Sequence, residues 1–136
     1  MEITWLGYSC FRIHGAHSNI ITDPYPPALG YKLGQPTANI VTVSHAHPGH
    51  SFVEGVAGEC KKIAGPGEYE ISDVLITGVA AYHDAEQGKL KGKNTIYVIE
   101  VDDIDICHLG DLGHSLSASQ VAEIGHVDVL LIPVGG

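Results

Sequence analysis

The chain reads as a β-rich α+β (α/β) domain, and three observations carry that reading. Apolar and polar residues alternate in short runs along most of the sequence, the period of half-buried strands. Seventeen glycines among 136 residues supply tight turns, and a hydrophobic fraction of 44% is enough for a buried core. One clear helix signature stands near the C-terminal end, at Ser117-Ala118-Ser119-Gln120.

Taken in order, the elements begin with a β-meander. Glu2–Leu6 alternates and stops at Gly7, Cys10–Ile13 alternates and stops at Gly15, and Ser18–Thr22 runs into Asp23-Pro24. Tyr25 to Pro36 is rich in Pro, Gly and Tyr without periodicity and reads as a surface loop. Ala38 to Ser44 is an apolar strand, and a short helix through Phe52, Val53 and Val56, ending near Gly58, is expected after His50. Lys62–Ala64 is a short strand before a turn at Gly65–Glu70, whose Glu68, Tyr69 and Glu70 read as structural. Asp73 to Val79 is a stronger strand leading into Ala80-Ala81-Tyr82-His83-Asp84, and Ala85 to Asn94 is a polar loop. Thr95–Val101 and Ile104–Leu109 form a hairpin across Asp102-Asp103. Ser117 caps a helix through Val121, Ala122 and Ile124, with Gln120 reaching back and Gly125 as a left-handed stop. Val127 to Ile132 is a buried-type strand. Roughly nine strands and two helices result, in a single domain over residues 1–136.

Seven Lys and Arg against sixteen Asp and Glu give a formal charge of −9, which argues against a nucleic-acid partner because phosphate neutralisation needs clustered cations. Cys10, Cys60 and Cys107 are odd in number and widely spaced, so neither a disulfide framework nor a thiolate zinc site is indicated and a reducing cytoplasm is the expected setting. No secretory signal opens the sequence, and its longest apolar run, Val127 to Val134, is too short to span a bilayer, so no membrane role is expected.

The chemistry concentrates at strand ends. Ser44-His45-Ala46-His47-Pro48-Gly49-His50 follows the apolar run 39–43, and imidazole is a common zinc ligand. His45 and His47 are two apart, so an extended backbone points both rings to one side, and Pro48-Gly49 can turn His50 back toward them. His83, at the end of a strand, is a further nitrogen donor, and Asp84 beside it is placed to orient a ligating ring. In Cys107-His108-Leu109-Gly110-Asp111-Leu112-Gly113-His114 a strand ends in a Gly-Asp turn whose carboxylate suits one cation or a bridge between two. His108 reads as a core histidine or one that supports a ligand, and His114 as lining a substrate cleft. His14, His17 and His126 lie in turns without partners. A solvated loop explains Lys89, Lys91 and Lys93 as well as an anionic substrate does.

The ordered set Trp5-Leu6-Gly7-Tyr8-Ser9-Cys10-Phe11, Thr22-Asp23-Pro24-Tyr25, Val43 to His50, Tyr82-His83-Asp84, His108-Leu109-Gly110-Asp111 and Leu130 to Gly135 resembles the metallo-β-lactamase superfamily. The branch it is most similar to comprises small bacterial and archaeal zinc-dependent hydrolases, including the ascorbate-6-phosphate lactonase. The resemblance runs over essentially the whole chain. It implies an αββα sandwich, here mainly its N-terminal β-rich half. It implies that His45, His47 and His83 hold one zinc, that His50 and a bridging, catalytic Asp111 serve a second, and that a metal-bound hydroxide hydrolyses an ester, lactone or phosphoester of a small-molecule substrate. Manganese, iron or nickel would suit the same donors to differing degrees.

Three departures accompany it. Gly49 stands where the family's H-x-H-x-D-H motif has Asp, and Tyr8 where relatives often have His. Family members also continue past the position of Gly136 with a β/α portion that donates a last histidine. One intact metal site and an impaired second one are therefore expected, in a chain incomplete at its C-terminus or completed by a partner. The competing expectation is a non-catalytic, degenerate or truncated member that oligomerises and binds metal weakly or not at all. A half-sandwich would expose apolar surface around Val127–Val134, which predicts a homodimer.

Overall fold

Alternating residues make sheets here because each strand has an apolar side to bury, and two five-stranded sheets result. The computed structural model describes residues 1–26, 36–46, 51 and 53–133. They fall into two compact units, Met1–Ala64 and Gly65–Gly136, each built on one sheet.

In the first unit the strands are β1 (Glu2–Gly7), β2 (Cys10–His14), β3 (Asn19–Thr22), β4 (Ile40–Val43) and β5 (Lys61–Ala64), adjacent in that order. The expected meander is present: β1, β2 and β3 pair antiparallel through tight turns. From β3 onward the pairing becomes parallel, β3 with β4 and β4 with β5. Parallel pairing in the register Thr22↔Thr42 sets the carboxyl ends of β3 and β4 side by side, the edge where open α/β sheets place their ligands. One face carries a core of Cys10, Ile21, Tyr25, Ala38, Val41, Val43 and Val56, with Leu6, Val53 and Cys60 packed on it. Ile13, Ile20 and Ile40, from the opposite face, are fully buried as well. The Thr22 hydroxyl donates to Ser9 O (3.0 Å) and accepts from Phe11 N (2.9 Å), which ties the first hairpin turn to the end of β3.

Three expectations in this unit need correction. The strand at 38–44 is shorter, since Ala38 N donates to Ala57 O and Asn39 N to Asn19 O outside the ladder. The helix expected after His50 is a single 3-10 turn, Val53–Gly55; Phe52 and residues 47–50 lie outside the described residues. His14 is not partnerless, because its Nδ1 meets Asn19 Oδ1 across β2 and β3.

The second unit holds β6 (Gly67–Ile71), β7 (Val74–Tyr82), β8 (Lys93–Val101), β9 (Ile104–His108), α1 (Ala118–Ile124) and β10 (Val129–Leu131), in the sheet order β10-β9-β8-β7-β6. Only β10 with β9 is parallel. The hairpin at Asp102-Asp103 is present, both residues at positive φ (53° and 62°) as a type I′ turn demands. Val79, Ala81, Ile96, Val98 and Cys107 form the core beneath α1, with Leu109, Leu112, Leu116, Ile124 and Val127 against them. The capping box forms as expected: Gln120 N donates to Ser117 Oγ, and Ser117 N to Gln120 Oε1. Gly125 closes the helix at φ 68°, but its ψ of −141° is extended rather than left-handed helical.

The segment 65–70, expected as a turn, instead supplies β6. It is an edge strand whose ladder to β7 needs backbone groups rather than apolar side chains, and its glutamates face solvent. β10 is a strand as expected but not a buried one. It lies at the other edge of the sheet, with Leu130 48% and Ile132 58% exposed. Its entry is braced by Asp105 N to Asp128 Oδ2 and Asp128 N to Asp105 O, both 2.8 Å, and His126 Nε2 pairs with Asp128 Oδ1 at 2.8 Å. That pairing, which raises the His126 pKa, corrects the expectation that His126 has no partner.

Gly78 in β7 faces the backbone of the turn before β6. A Cβ there would stand 2.7 Å from Gly65 O and 3.1 Å from Pro66 Cα. Gly78→Ala is therefore expected to destabilise the chain by about 1–3 kcal/mol, the usual cost of overpacking against immovable atoms. Chemical denaturation measures it, and an unchanged midpoint would contradict this account.

Candidate metal centre

In the first unit the donor is His45, two residues beyond β4. Because β3 and β4 are parallel and in register, Asp23 follows β3 at the level where Ser44 follows β4. Asp23 N donates to Thr42 O (2.8 Å). The fully buried Asp23 carboxylate receives Ser44 N on Oδ1 (2.7 Å) and Ser44 Oγ on Oδ2 (2.6 Å). Ser44 Oγ in turn lies 2.8 Å from His45 Nδ1. Asp23 holds φ at 40°, a strained value that Asp tolerates better than most residues. His47 and His50 lie outside the described residues.

In the second unit β7 and β9 both run antiparallel to β8, so their carboxyl ends share one edge of the sheet. His83 follows β7 and Asp111 lies three residues past β9. His83 Nε2 and Asp111 Oδ2 are 3.0 Å apart, and both side chains are partly buried, 22% and 27% exposed. Three contacts fix this pair. Asn94, buried at the start of β8, donates from Nδ2 to Leu109 O (2.9 Å) and accepts Asp111 N on Oδ1 (3.1 Å), so one side chain clamps both ends of the turn into Asp111. Gly113 N donates to Tyr82 O (3.0 Å). A Cβ on Gly113 would sit 2.1 Å from His83 O, so the turn lies directly on the His83 backbone.

The supporting residues differ from expectation. The hydrogen bonds of Asp84 go to its own loop and not to an imidazole: Oδ1 accepts Glu86 N (2.7 Å) and Gly88 N (2.9 Å), and Oδ2 accepts Leu90 N (3.0 Å) and Lys91 N (2.7 Å). The reason is local, since a carboxylate just before a tight loop finds amides nearer than any ring. His114 does not offer free nitrogens to a cleft. Its Nε2 accepts Tyr82 N (3.1 Å) and its Nδ1 donates to Ser115 O (2.8 Å), so it latches the turn to the end of β7. His108 is buried as the last residue of β9, opposite Tyr97.

Asp23, Asn94 and Gly113 hold ligand-type side chains in place, and no candidate list drawn from donor chemistry includes them. The available signals were an Asp ending an apolar strand before Pro24 and the glycine pair framing Asp111-Leu112. Burial pushes the Cys107 thiol up to about 11 and the Cys10 thiol higher still, with Asp23 adding to the latter.

A sequence profile of the β-lactamase superfamily domain matches residues 2–136. A UPF0173 metal-dependent hydrolase of Pyrococcus horikoshii is 29% identical over 168 residues, covering 100% of this chain and 73% of that protein. One of the same description from Methanoculleus marisnigri is 28% identical over 161 residues, covering 100% and 69%. Among solved structures, a proposed Zn-dependent hydrolase of the metallo-β-lactamase superfamily from Thermotoga maritima matches with a TM-score of 0.80 at 43% identity, over 98% of this chain and 61% of that one. A metallo hydrolase of Ignicoccus hospitalis shares the fold at a TM-score of 0.67 and 21% identity, over 98% of this chain and 70% of that one. The chain thus spans about three fifths of the Thermotoga maritima protein.

Four amide donors, that of Lys91 foremost, hold the Asp84 carboxyl at about 2 against the opposing effect of burial. A folded value below the ordinary carboxylate range of about 3.9 stabilises the loop above that pH and is lost as pH falls toward about 2. Amide exchange at Glu86, Gly88, Leu90 and Lys91 is expected to accelerate across that window, and at all pH values in Asp84→Ala. Unchanged protection in the variant would refute the anchoring role.

Proposed function

Because the chain belongs to the β-lactamase superfamily and has the metallo-β-lactamase fold, we propose that it is a metal-dependent hydrolase acting on a small-molecule ester, lactone or phosphoester. The observation that carries this reading is the 3.0 Å approach of His83 Nε2 to Asp111 Oδ2. Two donors from separate strand ends, held there by backbone clamps, stand as close as two ligands each about 2.0–2.2 Å from one cation come. The donor chemistry fits zinc first, with manganese, iron or nickel as alternatives.

In the proposed assignment His45, His47 and His83 hold one ion, and Asp111 bridges it to a second, weaker position that His50 serves. A bound cation would lower the pKa of a water molecule and polarise the carbonyl or phosphoryl oxygen under attack. The protein's part is to fix its donors beforehand. Asn94 and Gly113 keep the Asp111 carboxylate beside His83, so neither must be ordered when an ion arrives. With Gly49 in place of a carboxylate, Asp111 is also the group assigned to take a proton from the attacking water.

A second reading is a non-catalytic member that self-associates. Gly49 and the exposed Leu130 and Ile132 at the β10 edge favour it. In either case we propose a homodimer, and the three free cysteines Cys10, Cys60 and Cys107 support a reducing, cytoplasmic setting. Among the described residues no helix is long and apolar enough to cross a membrane.

Metal-free chain reconstituted with zinc is expected to retain about one ion per chain by elemental analysis. His83→Ala and Asp111→Ala should weaken retention by more than the about 10- to 100-fold that a supporting residue contributes, and abolish turnover of bis(p-nitrophenyl) phosphate or a lactone panel. A wild-type chain that holds no ion ends the hydrolase reading, and one that holds an ion without turnover favours the second. Sedimentation at micromolar concentration should show a dimer that Leu130→Glu dissociates; a monomeric wild type would exclude this association.

A further inference from the structure

We infer that Asp23 and Ser44 form a relay that sets which nitrogen of His45 would offer its lone pair to a metal. The inference rests on the reading of His45 as a ligand and adds what that reading leaves open: the tautomer and the residues that impose it.

Ser44 Oγ carries one hydrogen and sits between two partners, Asp23 Oδ2 at 2.6 Å and His45 Nδ1 at 2.8 Å. Oxygen–oxygen distances of about 2.5–2.7 Å belong to hydroxyls donating to an ionised carboxylate. The other Asp23 oxygen accepts the Ser44 amide at 2.7 Å, as a carboxylate with only acceptors to offer would. The serine hydrogen therefore goes to Asp23, and the remaining lone pair of Ser44 Oγ accepts. His45 Nδ1 must then carry a hydrogen and donate it, so in the neutral ring Nε2 holds the lone pair. Neutral imidazole binds a metal through the nitrogen without the hydrogen, and a bond from the other ring nitrogen fixes which one that is.

The relay is buried at its anchor, with Asp23 and Ser44 both nearly inaccessible, and it is short and wholly local to the ends of β3 and β4. Ser44 is thus a positioning residue. Its hydroxyl passes the polarity of a buried carboxylate to the imidazole.

Asp23→Asn tests this, because an amide reverses the relay. With Asn Oδ1 still accepting the Ser44 amide, its NH2 faces Ser44 Oγ and forces that oxygen to accept. The serine hydrogen is then released toward His45 Nδ1, and the ring hydrogen moves to Nε2. Nitrogen-15 NMR of the metal-free full chain is expected to show His45 protonated at Nδ1 in the wild type and at Nε2 in Asp23→Asn. Zinc affinity, measured by competition with a chelator, should fall about 10- to 100-fold in Asp23→Asn and Ser44→Ala and recover in Ser44→Thr, which keeps the hydroxyl. A purely structural role for Asp23 predicts no tautomer reversal and no threonine rescue. Protonation of His45 at Nε2 in the wild type overturns the relay even if zinc binds there. Because the wild-type tautomer is read without any substitution, a misfolded Asp23→Asn leaves the test intact. If zinc leaves the His45 ring signals unmoved, the ligand reading fails and takes the inference with it, whatever the tautomer.

Discussion

An absent side chain governs the pairing of His83 with Asp111. The turn after β9 rests on the peptide joining His83 to Asp84, where a Cβ at position 113 would overlap three backbone atoms at 2.1 to 2.4 Å. Such contact is feasible for glycine alone, and it turns a loop residue into one fixed against a strand end. Gly113 N and His114 Nε2 then use the carbonyl and amide of Tyr82, and Asn94 holds the turn from its other side. The polar cost of bringing an imidazole and a carboxylate together, half-buried, is met by a backbone that leaves them nowhere else to go.

Three aspartates show how little residue type says about role. Asp23 is fully buried and acts on a serine, Asp84 grips four amides of its own loop, and Asp111 meets an imidazole from another strand. Each is a carboxylate directly after, or close to, a strand end. What separates them is the nearest donor: a parallel neighbour's first loop residue, a tight turn, or a histidine across the sheet edge.

The strands rich in apolar residues were legible, namely β1 to β4 and β7 to β9, because burial on one face writes an alternation and burial on both faces a continuous run, as in β4. β6 was not, since an edge strand built as Gly-Glu-Tyr-Glu-Ile needs only its backbone. β10 was legible as a strand but not as an edge, because an apolar run records the preference of its residues and not how many neighbours the sheet supplies. That His83 and Asp111 each follow a strand was legible, but their 3.0 Å approach to each other was not, since the pairing of β7 and β9 on either side of β8 sets it. The roles of Asn94, Gly113 and Asp23 were not legible: they work through main-chain atoms distant in the sequence or through the absence of a side chain, and the local signals, an Asp ending an apolar strand and glycines framing Asp111-Leu112, do not name those partners.

The way Asp84 holds its loop bears on which substitutions that loop can accept. Its carboxylate takes hold of main-chain amides at 86, 88, 90 and 91, so the side chains between, Lys89 and Leu90 among them, are not what gives the loop its course. Residues there are free to drift while the path of the chain beside His83 stays the same, with His83 N still bonded to Gly92 O. One acidic anchor thereby decouples the course of the loop from the identity of its side chains.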